Sequence, residues 1–374
     1  MSHFYERLNV LVMPTDACNM NCLYCFHRSF RDNEAVMSLE MVERLLAITT
    51  PFFKKVYFLW HGGEPLLMGL DFYNKVLELQ KRTACRIKNS IQSNLTLMTP
   101  EFAVFLRENN FGISGSYDGV CNMRLRGNDE TILQGRQMVI KQGGNCGLIM
   151  VASRQNIHSL IDSYIFFRDN CINYSLNLYH ELKGCEIPDL HLDEKETVER
   201  LNELFTYWVH DSKGCIDISY FKHILEFIFG QKKSVCTYSS CLGRWIGVRS
   251  NGEIVPCNRY FPEKYSFGNI IDYSDIGEAF DSEGFANILS EAITRREKCK
   301  PCEIYDFCNG GCNNVAFNEN GIENNNGLSC KILKGVYSHI NNFVERITSS
   351  RMKVGEYNPR FEEMMRKRLL KASQ

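Results

Sequence analysis

Several features are missing from this chain, and each absence narrows what it can do. No run of about 18 apolar residues occurs, which excludes a transmembrane helix. The opening Met1-Ser-His-Phe-Tyr-Glu-Arg7 has no apolar signal-peptide core and runs straight into a strand-like segment. Net charge is nearly absent too: 43 Lys and Arg against 44 Asp and Glu leave −1. That balance gives no field for nonspecific binding to nucleic acid. Internal repeats and low-complexity linkers are also missing. Neither nucleic acid nor a membrane is therefore an expected partner. What the chain does have is length (374 residues), 44% hydrophobic residues and 17 cysteines. This is the composition of a globular protein of one large or two ordinary domains. The odd cysteine total, the chain length and the missing export signal disfavour a disulfide framework. They favour metal ligands in a reducing, cytoplasmic compartment.

The first half alternates strand-like and helix-like segments. Strands are expected at Leu8–Met13, Lys54–Trp60, Arg86–Gln92, Gly112–Ser116, Cys146–Ala152 and Tyr174–Tyr179. Helices are expected over Leu39–Thr49 (capped by Ser38), Asp71–Thr83, Pro100–Asn109, Glu130–Gln142 and Asn156–Phe167. Six β-then-α units imply a parallel sheet with helical crossovers. About 180 residues is short for an eight-fold barrel, so the expected α/β fold is a partial, open (β/α)6 TIM-like barrel. Leu192–His210 and Phe221–Phe229 are expected as connecting helices. After Gln231, cysteines, glycines and asparagines dominate and periodicity fades until about Cys330. The tail is helical, with a basic stretch at Arg360–Lys371 expected to be a solvated face. The expected domains are 1–230, 231–335 and 336–374.

The segment Cys18-Asn-Met-Asn-Cys22-Leu-Tyr-Cys25 follows the first strand. Loops at the C-terminal ends of strands are where barrel folds place their chemistry. Three thiolates on one short loop can take three corners of a cubane iron–sulfur cluster and leave one iron open. The competing assignment is a three-ligand zinc site, for which paired cysteines on two loops are the usual pattern.

This C-x3-C-x2-C loop resembles that of the radical SAM superfamily. One β/α unit later, Trp60-His-Gly62-Gly63-Glu64-Pro65 is similar to the family's GGEP segment, which holds the amino group of S-adenosylmethionine. Adjacent glycines allow close backbone approach to a ligand. By the same resemblance, Tyr24 lies near the adenine and Ser116-Tyr-Asp118-Gly119 helps to hold the cofactor. Arg126, with Arg124 as a rival, pairs with the methionine carboxylate, and Leu182 packs on the adenine. The implied reaction is reductive cleavage of S-adenosylmethionine to a 5'-deoxyadenosyl radical, which abstracts a hydrogen atom from substrate.

The C-terminal field holds Cys236, Cys241, Cys257, Cys299, Cys302, Cys308, Cys312 and Cys330. Asn251-Gly252 between two short apolar runs is a hairpin signal, and the hairpin folds Cys257 back towards Cys241. Eight thiolates suffice for two closed cubanes, and two zinc sites are the alternative. The pattern resembles the cysteine-rich SPASM extension, a second domain with two auxiliary [4Fe–4S] clusters. The resemblance assigns Cys236, Cys241, Cys257 and Cys312 to the first auxiliary cluster, and Cys299, Cys302, Cys308 and Cys330 to the second. It implies three [4Fe–4S] clusters and S-adenosylmethionine as cofactors, a peptide or protein substrate, and an electron donor such as flavodoxin or ferredoxin. The six other cysteines (85, 121, 146, 171, 185 and 215) are expected to be buried packing residues, with Cys121 and Cys185 on mouth loops.

Two subgroups of the resembled family fit. Maturases of ribosomal peptides form thioether or carbon–carbon cross-links. Anaerobic sulfatase-maturating enzymes oxidise Cys or Ser to formylglycine, using an aspartate directly after the cysteine that matches Cys257. This chain has Asn258 there, and an amide is no base at neutral pH. Glu263, Asp118 and His61 are the substitutes at hand; the catalytic base is otherwise unassigned. The expectation is therefore a cross-linking maturase, with formylglycine formation as the alternative and a plain iron–sulfur electron carrier as the remote one. Only 17 residues precede Cys18, so a leader-recognition domain of the kind many peptide maturases carry is not expected.

Overall fold

The first half of the chain alternates strand and helix in a computed structural model that describes residues 6–27, 35–183, 186–231, 235–259, 261–349 and 356–372. In chain order the elements run β1 (Leu8–Val12), α1 (Leu39–Thr49), β2 (Lys55–Trp60), α2 (Gly69–Lys81), β3 (Arg86–Ser93), α3 (Pro100–Glu108) and β4 (Gly112–Ser116). They continue with α4 (Asn122–Leu125), α5 (Glu130–Lys141), β5 (Cys146–Ala152), α6 (Leu160–Asp169), β6 (Tyr174–Leu178), α7 (Glu194–His210) and α8 (Ser219–Ile228). The remainder is β7 (Trp245–Val248), β8 (Ile254–Val255), α9 (Ile276–Phe280), α10 (Glu283–Cys299), α11 (Tyr305–Cys308), α12 (Asn313–Glu319), α13 (Leu328–Ser349) and α14 (Pro359–Ala372).

Caps set the helix starts. Ser38 Oγ accepts the Met41 N–H at 3.3 Å, Thr99 caps α3 ahead of Pro100, and Asp193 accepts the Glu196 N–H at 2.9 Å. The apolar face of α1 (Val42, Leu45, Leu46 and Ile48) is buried.

Two compact units partition the chain. One comprises Met1–Tyr117, Arg126–Cys146 and Cys241–Glu291; the other comprises Asp118–Leu125, Gly147–Ser240 and Ala292–Gln374. In the first unit the strand order is β4-β3-β2-β1-β7-β8. β1 pairs in parallel with both β2 and β7. It is buried along its whole length, as a strand covered on both faces must be. β7 and β8 form the antiparallel hairpin expected around Asn251-Gly252, and Gly252 takes the positive φ of +85° that the turn requires. That β7 also extends the parallel sheet beside β1 was not legible in the sequence, because sheet neighbours so far apart leave no local pattern. In the second unit β5 and β6 pair in parallel, and α13 packs against α7.

Two expectations need correction. The stretch expected to lose periodicity contains α10, a 17-residue helix. Its Ile288 and Ala292 are fully buried, but the inward row also includes a buried Arg295, so the pattern does not look amphipathic. The six spare cysteines are also not a buried set. Cys146 is buried, Cys85 and Cys121 are half-buried, and Cys171 and Cys215 are exposed; Cys185 lies outside the described residues. A general tendency of cysteine to bury does not decide an individual position. No described helix is long and apolar enough to cross a membrane.

Candidate iron–sulfur and cofactor site

In the first unit the chain leaves β1 through Pro14–Ala17 and reaches Cys18. The segment after β2 lies along that loop. His61 N–H donates to Val12 O at 2.8 Å, Gly63 N–H to Thr15 O at 2.9 Å, and Glu64 N–H to Ala17 O at 2.8 Å. This explains the two glycines. A Cβ on Gly63 would stand 2.1 Å from Ala17 O, and one on Gly62 would stand 2.6 Å from Thr15 O. Gly62 also has φ +99°. The glycines thus allow two loops to touch, a reason that ligand approach alone does not supply.

Glu64 is buried, and three donors hold its carboxylate. Oε1 accepts the Ser93 hydroxyl at 2.8 Å and the Leu66 N–H at 3.0 Å; Oε2 accepts the Asn94 N–H at 2.8 Å. Burial pushes its carboxyl up, while these hydrogen bonds and the charge of Arg126 act in the opposite direction. The Asn94 side chain lies 3.8 Å from Cys18 Sγ and donates to Asn19 Oδ1 at 2.9 Å. Asn19 in turn donates to Thr96 Oγ1 at 2.7 Å. The end of β3 therefore joins the GGEP-like segment to the cysteine loop. Sequence reasoning missed Ser93 and Asn94; their only signal was their place at the C-terminal end of a barrel strand.

Tyr24 and Arg126 come together from 102 positions apart. Arg126 Nη1 donates to the Tyr24 hydroxyl at 2.6 Å, and its guanidinium stands 5.9 Å from the ring centre. The Arg124 side chain lies outside the described residues. Ser116 Oγ accepts from Gln92 Nε2 at 2.9 Å. Beside the cysteine loop, His61 accepts the Gly62 N–H on Nδ1 at 2.7 Å. Burial holds its pKa down, to about 4. With Nδ1 occupied, His61 presents an N–H rather than a free base nitrogen. Asn258, beside Cys257, is half-buried, and Glu263 is exposed.

Asp118 and Leu182 belong to the second unit. Asp118 is fully buried, and its Oδ1 accepts the Val151 N–H at 2.8 Å, so this carboxylate is engaged with the backbone of β5. Leu182 is half-buried in the segment after β6.

The second unit also brings four cysteines into one neighbourhood. α10 ends at Cys299, Cys308 ends α11, and Cys330 sits in the first turn of α13. The Cys308 thiol is pushed up to about 12, first by burial and then by Cys330, Cys299 and Cys302. Cys330 is raised first by burial, with Cys302 and Cys299 adding to it. Thiols that raise one another this way are close together, and on Cys330 the charge of Lys334 acts in the opposite direction. Arg295 is 1% exposed and orders the surrounding loop. Its Nε donates to Gly310 O at 2.9 Å, its Nη2 to Gly311 O at 3.4 Å, and its Nη1 to Ile322 O. Among the described residues no three Cys, His, Asp or Glu side chains converge on a single metal ion. A cubane attaches each thiolate to a different iron, so four thiols around a larger group fit it chemically. Of the remaining set, Cys241 immediately precedes the hairpin and Cys257 follows it in the first unit, whereas Cys236 and Cys312 belong to the second.

Sequence comparison agrees with these features. The Radical SAM superfamily profile matches residues 12–167, and the SPASM profile, an iron–sulfur cluster-binding domain, matches residues 236–303. The cysteine-type anaerobic sulfatase-maturating enzyme of Clostridium perfringens is 28% identical over 82% of this chain and 88% of its own length. The serine-type enzyme of Bacteroides thetaiotaomicron is 28% identical over 90% of this chain and 89% of its own. The solved structure of native anSMEcpe with bound AdoMet and Cp18Cys peptide superposes with a TM-score of 0.80 at 25% identity, covering 92% of this chain and 99% of that one. The α/β fold with its parallel sheet, the cysteine loop and these matches lead to one conclusion: the chain carries a radical SAM domain over residues 12–167 and a SPASM iron–sulfur cluster-binding domain over residues 236–303.

Proposed function

We propose that this protein oxidises a cysteine side chain in a peptide or protein substrate to formylglycine, in the manner of the anaerobic sulfatase-maturating enzymes. The observation that carries this is the nearly end-to-end similarity to such enzymes of both the cysteine and the serine type. It reverses the preference drawn from sequence, where Asn258 favoured a cross-linking maturase. Three [4Fe–4S] clusters on the eleven cysteines named above, together with S-adenosylmethionine, are part of the proposal. When bound, these groups supply removal of one hydrogen atom from the substrate Cβ and uptake of one electron. The thiol gives up a proton, the resulting thioaldehyde takes up water, and hydrogen sulfide leaves.

In this proposal Gly62, Gly63 and Glu64 position the cofactor beside the cysteine loop, with Tyr24, Ser116 and Arg126 as further contacts in the same unit; roles for Asp118 and Leu182, in the second unit, rest on the family resemblance alone. The same residues restrict water at the reacting carbon. Asn258 selects between substrates. A thiol ionises near pH 8.5 without assistance, whereas a serine hydroxyl needs a positioned base. A site with an amide at this position therefore suits cysteine.

The test is anaerobic incubation with a sulfatase-derived peptide in Cys and Ser forms, read by mass spectrometry and aldehyde-specific hydrazide labelling. Aldehyde in the Cys peptide, with at least ~100-fold less in the Ser peptide, is expected, because a missing general base costs about that factor. Asn258→Asp is expected to raise Ser turnover. Cofactor cleavage with loss of two hydrogens and no aldehyde in either peptide would refute formylglycine formation and support the cross-linking reading, which Asn258 favours.

A further inference from the structure

Cys171 and Cys215 are 44 positions apart in the second unit, yet their Sγ atoms stand 3.9 Å from each other and both residues are exposed. Neither belongs to the cluster-ligand set. We propose that they form a surface dithiol site that takes low-molecular-weight disulfides and closes to an internal disulfide, clamping the edge of β6.

The two backbones are already held around the sulfurs. On one side Arg168 pairs with Asp211 at 2.9 Å. On the other, Asp217 N–H donates to Asn173 Oδ1 at 2.8 Å, and Tyr174 N–H donates to Asp217 O at 3.3 Å. Cys171 sits at φ +51° after α6, with its N–H donating to Arg168 O at 2.9 Å. The Cys215 carbonyl accepts from Arg360 Nε at 3.3 Å. A disulfide needs an S–S distance of about 2.05 Å, so closure asks for side-chain rotation at the two cysteines while these hydrogen bonds and the ion pair stay in place.

The exchange balances without another reactant. One thiolate attacks a sulfur of the disulfide RSSR, forms a mixed disulfide and releases RS⁻. The second thiolate attacks the protein sulfur of that mixed disulfide, closes Cys171–Cys215 and releases the other RS⁻. The two thiol protons end on the two RSH molecules. Reduction by a dithiol reverses both steps. The product ties the segment before β6 to the Cys215–Ile218 segment, whose Ile218 bridges Tyr174 beyond the β5 pairing.

The probe is oxidised glutathione, applied anaerobically to the cluster-loaded full chain, followed by thiol blocking and non-reducing peptide mapping. One linked Cys171–Cys215 peptide is expected, in monomeric protein, with iron content unchanged and reversal by dithiothreitol. Cys171→Ser and Cys215→Ser are expected to trap glutathione on the remaining thiol at least about tenfold more than wild type, since the paired thiol closes intramolecularly. Two separate adducts without a link, a linked dimer, or iron loss accompanying the link would each overturn the proposal. Wild-type mapping suffices if either variant fails to fold.

Discussion

Replacing Gly63 by alanine tests the contact between the loops that follow β1 and β2. The added Cβ would meet Ala17 O at 2.1 Å, Asp16 O at 2.5 Å and Ala17 C at 2.6 Å. All three are backbone atoms, so no side chain can rotate away. An ordinary contact needs more than 3 Å, and the two segments must part by about 1 Å. Overpacking of this kind costs roughly 1–3 kcal/mol. The shift also stretches the Gly63–Thr15 and Glu64–Ala17 hydrogen bonds, each worth about 0.5–1.5 kcal/mol. The total is about 2–6 kcal/mol, which lowers the melting temperature of the first unit by on the order of 5–15 °C. Anaerobic calorimetry and iron analysis after reconstitution provide the assay, with Gly147→Ala as control because its added Cβ meets only Asn173 O at 3.4 Å. Wild-type stability and wild-type iron in Gly63→Ala would refute the claim that the glycines serve the loop contact.

Further expectations concern other parts of the chain. Cys18, Cys22 and Cys25 replaced together by alanine should lose about four of about 12 irons and all cleavage of S-adenosylmethionine; retained cleavage would reject the assignment. Arg295→Lys cannot reach all the carbonyls that the guanidinium serves, so destabilisation by about 2–4 kcal/mol and faster iron release are expected, read by chelator kinetics. Asp211 is held below the ordinary carboxylate range: burial raises it, but hydrogen bonds from Arg168, Tyr164 and the Lys213 N–H outweigh that effect. A carboxylate with a depressed folded pKa adds stability that is full above its unfolded value of about 4 and is lost as pH falls through the folded value. Wild type should therefore lose this part of its stability below about pH 4, and Asp211→Asn should show a flatter stability profile there in denaturant titrations.

How far the chain's own letters reach depends on the range of the interaction involved. Ser38 acts within one helical turn, and Asn251-Gly252 within one hairpin, so those elements could be placed before any coordinates. β1 and β5 follow from apolar runs or periodicity bounded by turns. α10 escaped because its inward face carries Arg295, whose partners at Gly310 and Ile322 are supplied by the fold. The exposed cysteines escaped for the converse reason: Cys171 and Cys215 face outward because of where their loops meet, which residue type does not determine.

The candidate site divides in the same way. Spacing alone placed Cys18, Cys22 and Cys25 on one loop after a strand, because seven peptide links cannot take them far apart. Composition set the low net charge and the lack of a membrane-spanning run. Tertiary structure decided the rest. Gly62 and Gly63 face the backbone of residues 15–17; Glu64 is fixed by Ser93 and Asn94; Arg126 meets Tyr24. Cys330 joins the neighbourhood of Cys299, Cys302 and Cys308 from the first turn of α13. Each of these contacts joins segments at least 20 residues apart, and packing of strands and helices, which no short window of sequence encodes, brings them together.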